Sequence, residues 1–279
     1  MFDQLDGVSC TRVRMSAASW TPPVHRRSAA PPRSSPAQPK PCRKFGRVAL
    51  AVAVACVLLS SSAHPGELPR TSDHDYEPPA PGTYTLPVVK SAADGEVLDS
   101  EGRPLRLREL TRERVTVLSF IYTRCASAKA CPYATGVLNQ LHRLSQDDQS
   151  LAKNMRLVSM SFDPANDTPE RMSGYSSWAR GRTSVSEWRF LTTRSQTELR
   201  PILDAYGQAV DRKKNAADPT GPLNHTLRVF LIDREGRIRN IYSSGTLDVR
   251  LVLADVKTLL MESAQQGQQA RGSEPAGGQ

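Results

Sequence analysis

Apolar residues change their period several times between Leu86 and Ser263, and each change predicts an element. Val115 to Tyr122 is almost continuously apolar, the pattern of a central strand covered on both faces. After Cys131 and Pro132, the apolar positions Ala134, Val137, Leu138, Leu141 and Leu144 recur at three and four residues, so one stripe of a helix faces a core. Met155 to Phe162 reads as a second buried strand. Asp167-Thr168-Pro169-Glu170 then caps a helix running through Trp178. Trp188 to Leu191 predicts a short strand, and Leu199 to Tyr206 a short helix that Pro201 must start or bend. Residues 207–222 read as a polar loop. Leu227 to Ile232 and Ile238 to Tyr242 predict a hairpin around Arg234-Glu235-Gly236. Upstream, Gly95 to Gly102 and Pro104 to Leu107 give a strand, a turn and a returning strand. The last helix runs from Leu247 to Met261, with Val249, Val252, Leu253, Val256 and Leu260 facing inward.

Strand, helix and strand, followed by a hairpin and a closing helix, is the order of a thioredoxin-like domain. The expectation is a three-layer α/β fold with a central mixed sheet over residues 88–263. Its length suits one domain. The flanks read differently. Residues 1–47 hold nine of the 37 Lys and Arg against Asp3 and Asp6 alone, and so carry +7 of the formal +9. The remainder is close to neutral, which argues against nucleic-acid binding, since that needs basic charge on the folded face. Residues 48–63 join an apolar run to Ser60-Ser61-Ser62-Ala63, behind Arg43, Lys44 and Arg47. Basic, apolar and small-residue regions in that order describe an export signal, cleaved after Ala63 or kept as a membrane anchor. A lipidation signal at Cys56 is a weaker reading. The protein is therefore expected outside the cytoplasm, in the periplasm, with tethering to the inner membrane a second form of the same expectation. Residues 64–87 read as a proline-rich linker, and 264–279 as a disordered tail.

Export changes the meaning of the cysteines. Cys10, Cys42 and Cys56 fall in the leader or signal, leaving Cys125 and Cys131 as a pair in the folding part. Outside the cytoplasm such a pair is either one disulfide or a functional dithiol. A bridge over a five-residue loop would remove little unfolded-state entropy, which favours the dithiol. The pair falls at the end of the first core strand, where open α/β sheets gather function. Cys131 opens the following helix, where free backbone N–H groups are expected to stabilise a thiolate. His225 opens a later strand, and two sulfurs with one imidazole suit Cu(I), or Cu(II) with a further donor. His142 follows Leu141 off the apolar stripe and is expected in solvent. His64 and His74 fall in the linker, and Asp163 and Asp167 read as turn and cap residues.

The motifs that carry a family resemblance are Ser119-Phe120-Ile121-Tyr122-Thr123-Arg124-Cys125, Cys131-Pro132, Ser161-Phe162-Asp163-Pro164 and Asp167-Thr168-Pro169-Glu170. His225-Thr226, Phe230-Leu231-Ile232-Asp233 and Gly236-Arg237-Ile238 complete them. In this order the chain resembles the Sco/SenC family, thioredoxin-like copper chaperones of cytochrome c oxidase assembly. The resemblance implies Cys125, Cys131 and His225 as copper ligands. It implies a respiratory oxidase subunit or other copper chaperones as partners, with Asp163 near the site. One feature departs from the family. Its usual spacing is three residues with Pro after the first cysteine, whereas here five intervene and Ala126 follows Cys125. A thiol–disulfide oxidoreductase reducing a partner's cysteines is the main alternative, and it needs both thiols but not His225. A peroxidase on the same fold and a copper buffer rank below it.

Overall fold

The computed structural model describes residues 74–179 and 185–272. The leader, the apolar run 48–63 and the residues Cys10, Cys42, Cys56 and His64 lie outside them. Among the described residues no helix is long and apolar enough to cross a membrane.

The chain begins with three short strands, β1 (Lys90–Ser91), β2 (Glu96–Asp99) and β3 (Pro104–Arg106), and one helical turn, α1 (Leu107–Leu110). The apolar run forms β4 (Val115–Ile121), which leads through the cysteine loop into α2 (Cys131–Leu144) and the short α3 (Gln149–Asn154). Next come β5 (Met155–Ser161), α4 (Pro169–Tyr175), a 3-10 turn at Ser177–Ala179, β6 (Glu187–Thr192) and α5 (Gln196–Tyr206). The last part holds β7 (Val210–Arg212), β8 (Leu223–His225), β9 (Val229–Ile232), β10 (Arg237–Tyr242) and α6 (Val249–Gly272).

One eight-stranded sheet runs in the order β1-β10-β9-β4-β5-β6-β2-β3. β4, β5 and β6 pair in parallel, and β9 joins β4 antiparallel with Val117 opposite Leu231 and Leu118 opposite Phe230. Side-chain alternation splits the core between the two faces. Val115, Val117, Met155 and Leu157 pack with Ala134, Val137, Leu138 and Leu141 of α2 and with Val252, Val256 and Leu259 of α6. Leu118, Phe120, Val158 and Met160 pack with Leu199, Ile202, Leu203 and Tyr206 of α5. β4 is buried along its whole length because both faces are covered. Helix, sheet and helix are the three layers of a thioredoxin-like fold.

Several segments differ from expectation. α5 starts at Gln196, capped by Ser195 whose side chain accepts from the Glu198 N–H, and Pro201 sits inside it. Four buried residues on one face outweigh the backbone bond that Pro201 cannot donate. The polar loop 207–222 contains β7, which pairs with β8 as a separate two-stranded ribbon that places Val210 opposite His225. His142 is 3 % exposed, with its ring 5.4 Å from that of Trp188. It lies four residues after Leu138, on the flank of α2 that β6 covers. The segment read as a linker packs onto the domain from His74 onward. His74 is buried and bonded to Tyr133 Oη at 3.0 Å, Tyr84 Oη donates to Asp255 at 2.6 Å, and Leu86 joins the core. α6 continues through Gly272, with residues 264–269 exposed. Helix-favouring Ala and Gln residues extend it.

Candidate metal centre

The carboxyl end of β4 carries the first sulfur. Beyond Ile121 the chain turns, and the Cys125 N–H donates to the Tyr122 carbonyl at 3.2 Å. Asp167 clamps this turn, accepting from the Thr123 N–H at 3.0 Å, the Thr123 hydroxyl at 2.5 Å and Ser161 Oγ at 2.6 Å. The cap of α4 is Thr168, not Asp167. Asp163 holds the neighbouring residue, accepting from Arg124 Nη2 at 2.9 Å. Both carboxylates fasten the loop rather than point at the sulfurs. The loop then crosses Ala126 to Ala130, with the Ala126 N–H donating to the Thr220 carbonyl at 3.3 Å, and delivers Cys131 as the first residue of α2.

His225 arrives from the other side, at the end of β8. Its ring sits between Tyr122, edge-on with centroids 5.4 Å apart, and Phe162, tilted at 5.0 Å. Gln208 donates to the carbonyl of Thr226 at 2.8 Å and fixes the chain just past it. Nε2 of His225 lies 3.3 Å from Sγ of Cys131 and 3.9 Å from Sγ of Cys125. The three donor atoms all lie within 4.8 Å of one another. Nδ1 of His225 is buried without a hydrogen-bond partner among the described residues.

The two thiols are unequal. Cys131 is buried, Cys125 is partly exposed, and both are free. The Cys125 thiol is lowered to about 4, first by a hydrogen bond from Cys131, then by His225 and by the N–H groups of Cys131 and Ser127, against the cost of its burial. Cys131 moves the other way, because it donates to Cys125 and is desolvated. One proton therefore serves the pair and resides on Cys131, opposite to what its helix-terminal position suggested. The hydrogen bond to the Cys125 sulfur, together with burial, outweighs the helix dipole there. Tyr122 is raised to about 12 by burial and then by the Cys125 charge, so its hydroxyl stays neutral.

Two thiolate-capable sulfurs and an imidazole nitrogen at these separations can converge on a single soft cation, or the sulfurs alone can exchange disulfides. Sequence patterning had placed Cys125, Cys131 and His225 near one another. It had not singled out Tyr122 and Phe162 as the walls that orient the imidazole, nor Asp167 as the clamp on the loop. The aromatic ends of two buried strands, Tyr122 after β4 and Phe162 after β5, were the available signal.

Comparisons with known proteins agree on the family. The SCO1/SenC family profile matches residues 92–261, more than half of the chain. A SCO1 protein homolog of Bacillus subtilis (strain 168) is 26 % identical over 145 residues, which is 52 % of this chain and 69 % of that protein. A SCO1/SenC family lipoprotein from Bacillus anthracis str. Ames superposes with a TM-score of 0.51 at 23 % identity, over 61 % of this chain and 95 % of that one. BsSco, a member of the Sco family of cytochrome c oxidase assembly proteins in which a disulfide switch has been identified, superposes with a TM-score of 0.50 at 21 % identity. That match covers 63 % of this chain and 98 % of BsSco. The span of the family match takes in both cysteines, His225 and every strand of the main sheet except β1, and on that ground the chain belongs to the SCO1/SenC family.

Proposed function

We propose that the protein binds one copper ion through Cys125, Cys131 and His225 and hands it to the copper centre of a respiratory oxidase during assembly. The observation that carries this reading is the convergence of two sulfurs and one imidazole nitrogen within 4.8 Å. The donor set fits the ion. Soft sulfurs favour Cu(I), and neutral imidazole completes a three-coordinate shell, while Cu(II) would take a further donor. Family membership and the assembly role ascribed to BsSco supply the destination. Delivery proceeds by ligand exchange. Each acceptor thiol gives up its proton as its sulfur joins the ion; one proton comes to rest on the released Cys131, any other passes to solvent, Cys125 leaves as a thiolate, and copper stays Cu(I). Export through residues 48–63, with the segment cleaved or kept as a tether, would bring the domain to the oxidase side of the membrane, and cell fractionation tests that placement.

An anaerobic titration of the reduced protein with Cu(I) against a competing chelator tests the binding. One equivalent is expected for wild type, with large losses of affinity in Cys125→Ala, Cys131→Ala and His225→Ala. Unchanged affinity in His225→Ala overturns the three-ligand centre. A second reading, thiol–disulfide exchange with a partner, is favoured by the low value of Cys125 beside a protonated Cys131. In that case His225→Ala retains activity toward a disulfide substrate and the phenotype follows the cysteines alone.

A further inference from the structure

A groove of about 430 Å³ opens beside Cys125, lined by Thr123, Pro132, Gly136, Asn139, Tyr175 and Trp178 among others. Its floor is one face of α2. Pro132, Gly136 and Asn139 are spaced four and three residues apart, opposite the stripe of Ala134, Val137, Leu138 and Leu141 that enters the core. Its far wall is Tyr175 and Trp178, and Trp178 is 42 % exposed despite packing edge-on against Trp188 at 5.2 Å.

Two features of the floor have no explanation in the fold itself. Gly136 lies in the interior of α2, where glycine weakens a helix relative to alanine, yet a Cβ there would meet nothing within 4 Å. The missing side chain serves no internal contact; it leaves the floor of the groove open. Asn139 also lines the groove, and its Oδ1 is buried with no hydrogen-bond partner among the described residues. A buried acceptor without a donor is costly and marks a place where a donor is to be supplied.

We infer that this groove docks an extended, cysteine-bearing segment of the copper-accepting protein, whose backbone N–H bonds Asn139, whose apolar side chain lies over Gly136 against Trp178, and whose thiol is thereby presented to Cys125. The inference rests on the copper-transfer reading above and names its partner. An extended segment fits better than a free small thiol, because it offers a backbone donor and an apolar side chain at a fixed distance from its sulfur. Cys125 is the sulfur reached because it is the partly exposed one and belongs to the groove wall, while Cys131 is buried behind it.

The test uses the reduced, metal-free full-length chain with Cys10, Cys42 and Cys56 replaced by Ser, so that only Cys125 and Cys131 report. The probe is the peptide acetyl-Leu-Ala-Cys-Ala-Leu-amide joined by a disulfide to thionitrobenzoate, compared with N-acetylcysteine joined in the same way. The Cys125 sulfur attacks the peptide sulfur, a new disulfide forms, and thionitrobenzoate leaves with the electron pair and is read by its absorbance. Wild type is expected to react with the peptide at least about fivefold faster than with N-acetylcysteine, because docking orients the attacked sulfur. Gly136→Leu fills the floor and Asn139→Leu removes the acceptor, and each should abolish that preference while leaving the N-acetylcysteine rate unchanged. Gly136→Ala should keep most of it. Equal rates for the two probes in wild type, or a preference that survives Gly136→Leu, overturns the inference. So does a peptide preference that emerges only on dilution, which would mean that a second copy of the chain covers the groove. Failure of the Cu(I) titration would remove the copper reading while leaving this exchange measurement intact, so the two failures are distinguishable.

Discussion

Gly221 packs its α-carbon directly against the hydroxyl of Tyr122. Its φ of +102° lies where side chains are rarely accommodated, and a Cβ there would also meet the Arg124 carbonyl oxygen at 2.9 Å. Tyr122 in turn donates to the Thr220 carbonyl at 3.3 Å and walls the His225 ring. Gly221→Ala therefore strains the backbone and pushes the ribbon carrying His225 away from the sulfurs. The expected cost is about 1–3 kcal/mol of stability in urea denaturation, with weaker Cu(I) binding. Tyr122→Phe in the Gly221→Ala background removes the clashing oxygen and should restore part of the stability, so a double-mutant cycle yields a non-zero coupling.

Cys125 should remain a thiolate far into acid. Peptide mapping after iodoacetamide treatment of the metal-free, reduced protein is expected to show Cys125 modified first, with a rate that reaches half its plateau at a pH of about 4. Cys131 reacts slowly throughout, because it is buried and keeps the shared proton. The sign for stability follows. The folded value lies below the roughly 8.5 of a free thiol, so the Cys125 thiolate contributes fully above that pH, and the contribution is lost as pH falls through about 4.

The five residues between the cysteines make the chelate looser than three would. Deleting Ala128 and Lys129 shortens the excursion without touching a ligand. From loop closure alone, the Cu(I) dissociation constant should fall by about twofold. Competition with a chelator measures it, and copper release to a small thiol should slow in parallel. A weaker site after the deletion would mean that the longer loop is needed for the sulfurs to meet.

Asp255 is almost fully buried and accepts hydrogen bonds from Tyr84 Oη at 2.6 Å, Tyr242 Oη at 2.6 Å and Asn240 Nδ2 at 2.8 Å. It clips the segment ahead of β1 onto α6. Asp255→Ala leaves the buried hydroxyl of Tyr242 and the half-buried one of Tyr84 without their acceptor and should cost about 3 kcal/mol, whereas Tyr84→Phe removes one bond and should cost about 1 kcal/mol. Limited proteolysis should cut between residues 74 and 88 faster in both variants, and much faster in Asp255→Ala.

That clip shows where the sequence is hard to read. Prolines and scattered charge made residues 64–87 resemble a linker, yet Tyr84, Leu86 and His74 find hydrogen-bond partners 59 to 176 residues away, on α2, β10 and α6. Such contacts leave no local period. β4 and α2 were legible because Val115–Ile121 and the stripe from Ala134 to Leu141 each repeat at the spacing of their own element. β7 and β8 were not, since three-residue strands are too short to alternate visibly, and the exposed Asp211 and Asn224 read as loop. The site was legible as three residue types in a familiar order. Its electrostatics were not, because which thiol keeps the proton depends on the hydrogen bond between the two sulfurs and on the burial of Cys131, both properties of the packed site rather than of the first residue of α2.

The sulfurs and the imidazole belong to separate hydrogen-bonded ladders. Cys125 and Cys131 hang from the eight-stranded sheet and its helix, and His225 from the two-stranded ribbon β7–β8. Tilting that ribbon opens the trio while every rung of the main sheet stays closed. The centre is thus a clasp with its pin mounted on its own small bracket, and unfastening it leaves the frame undisturbed.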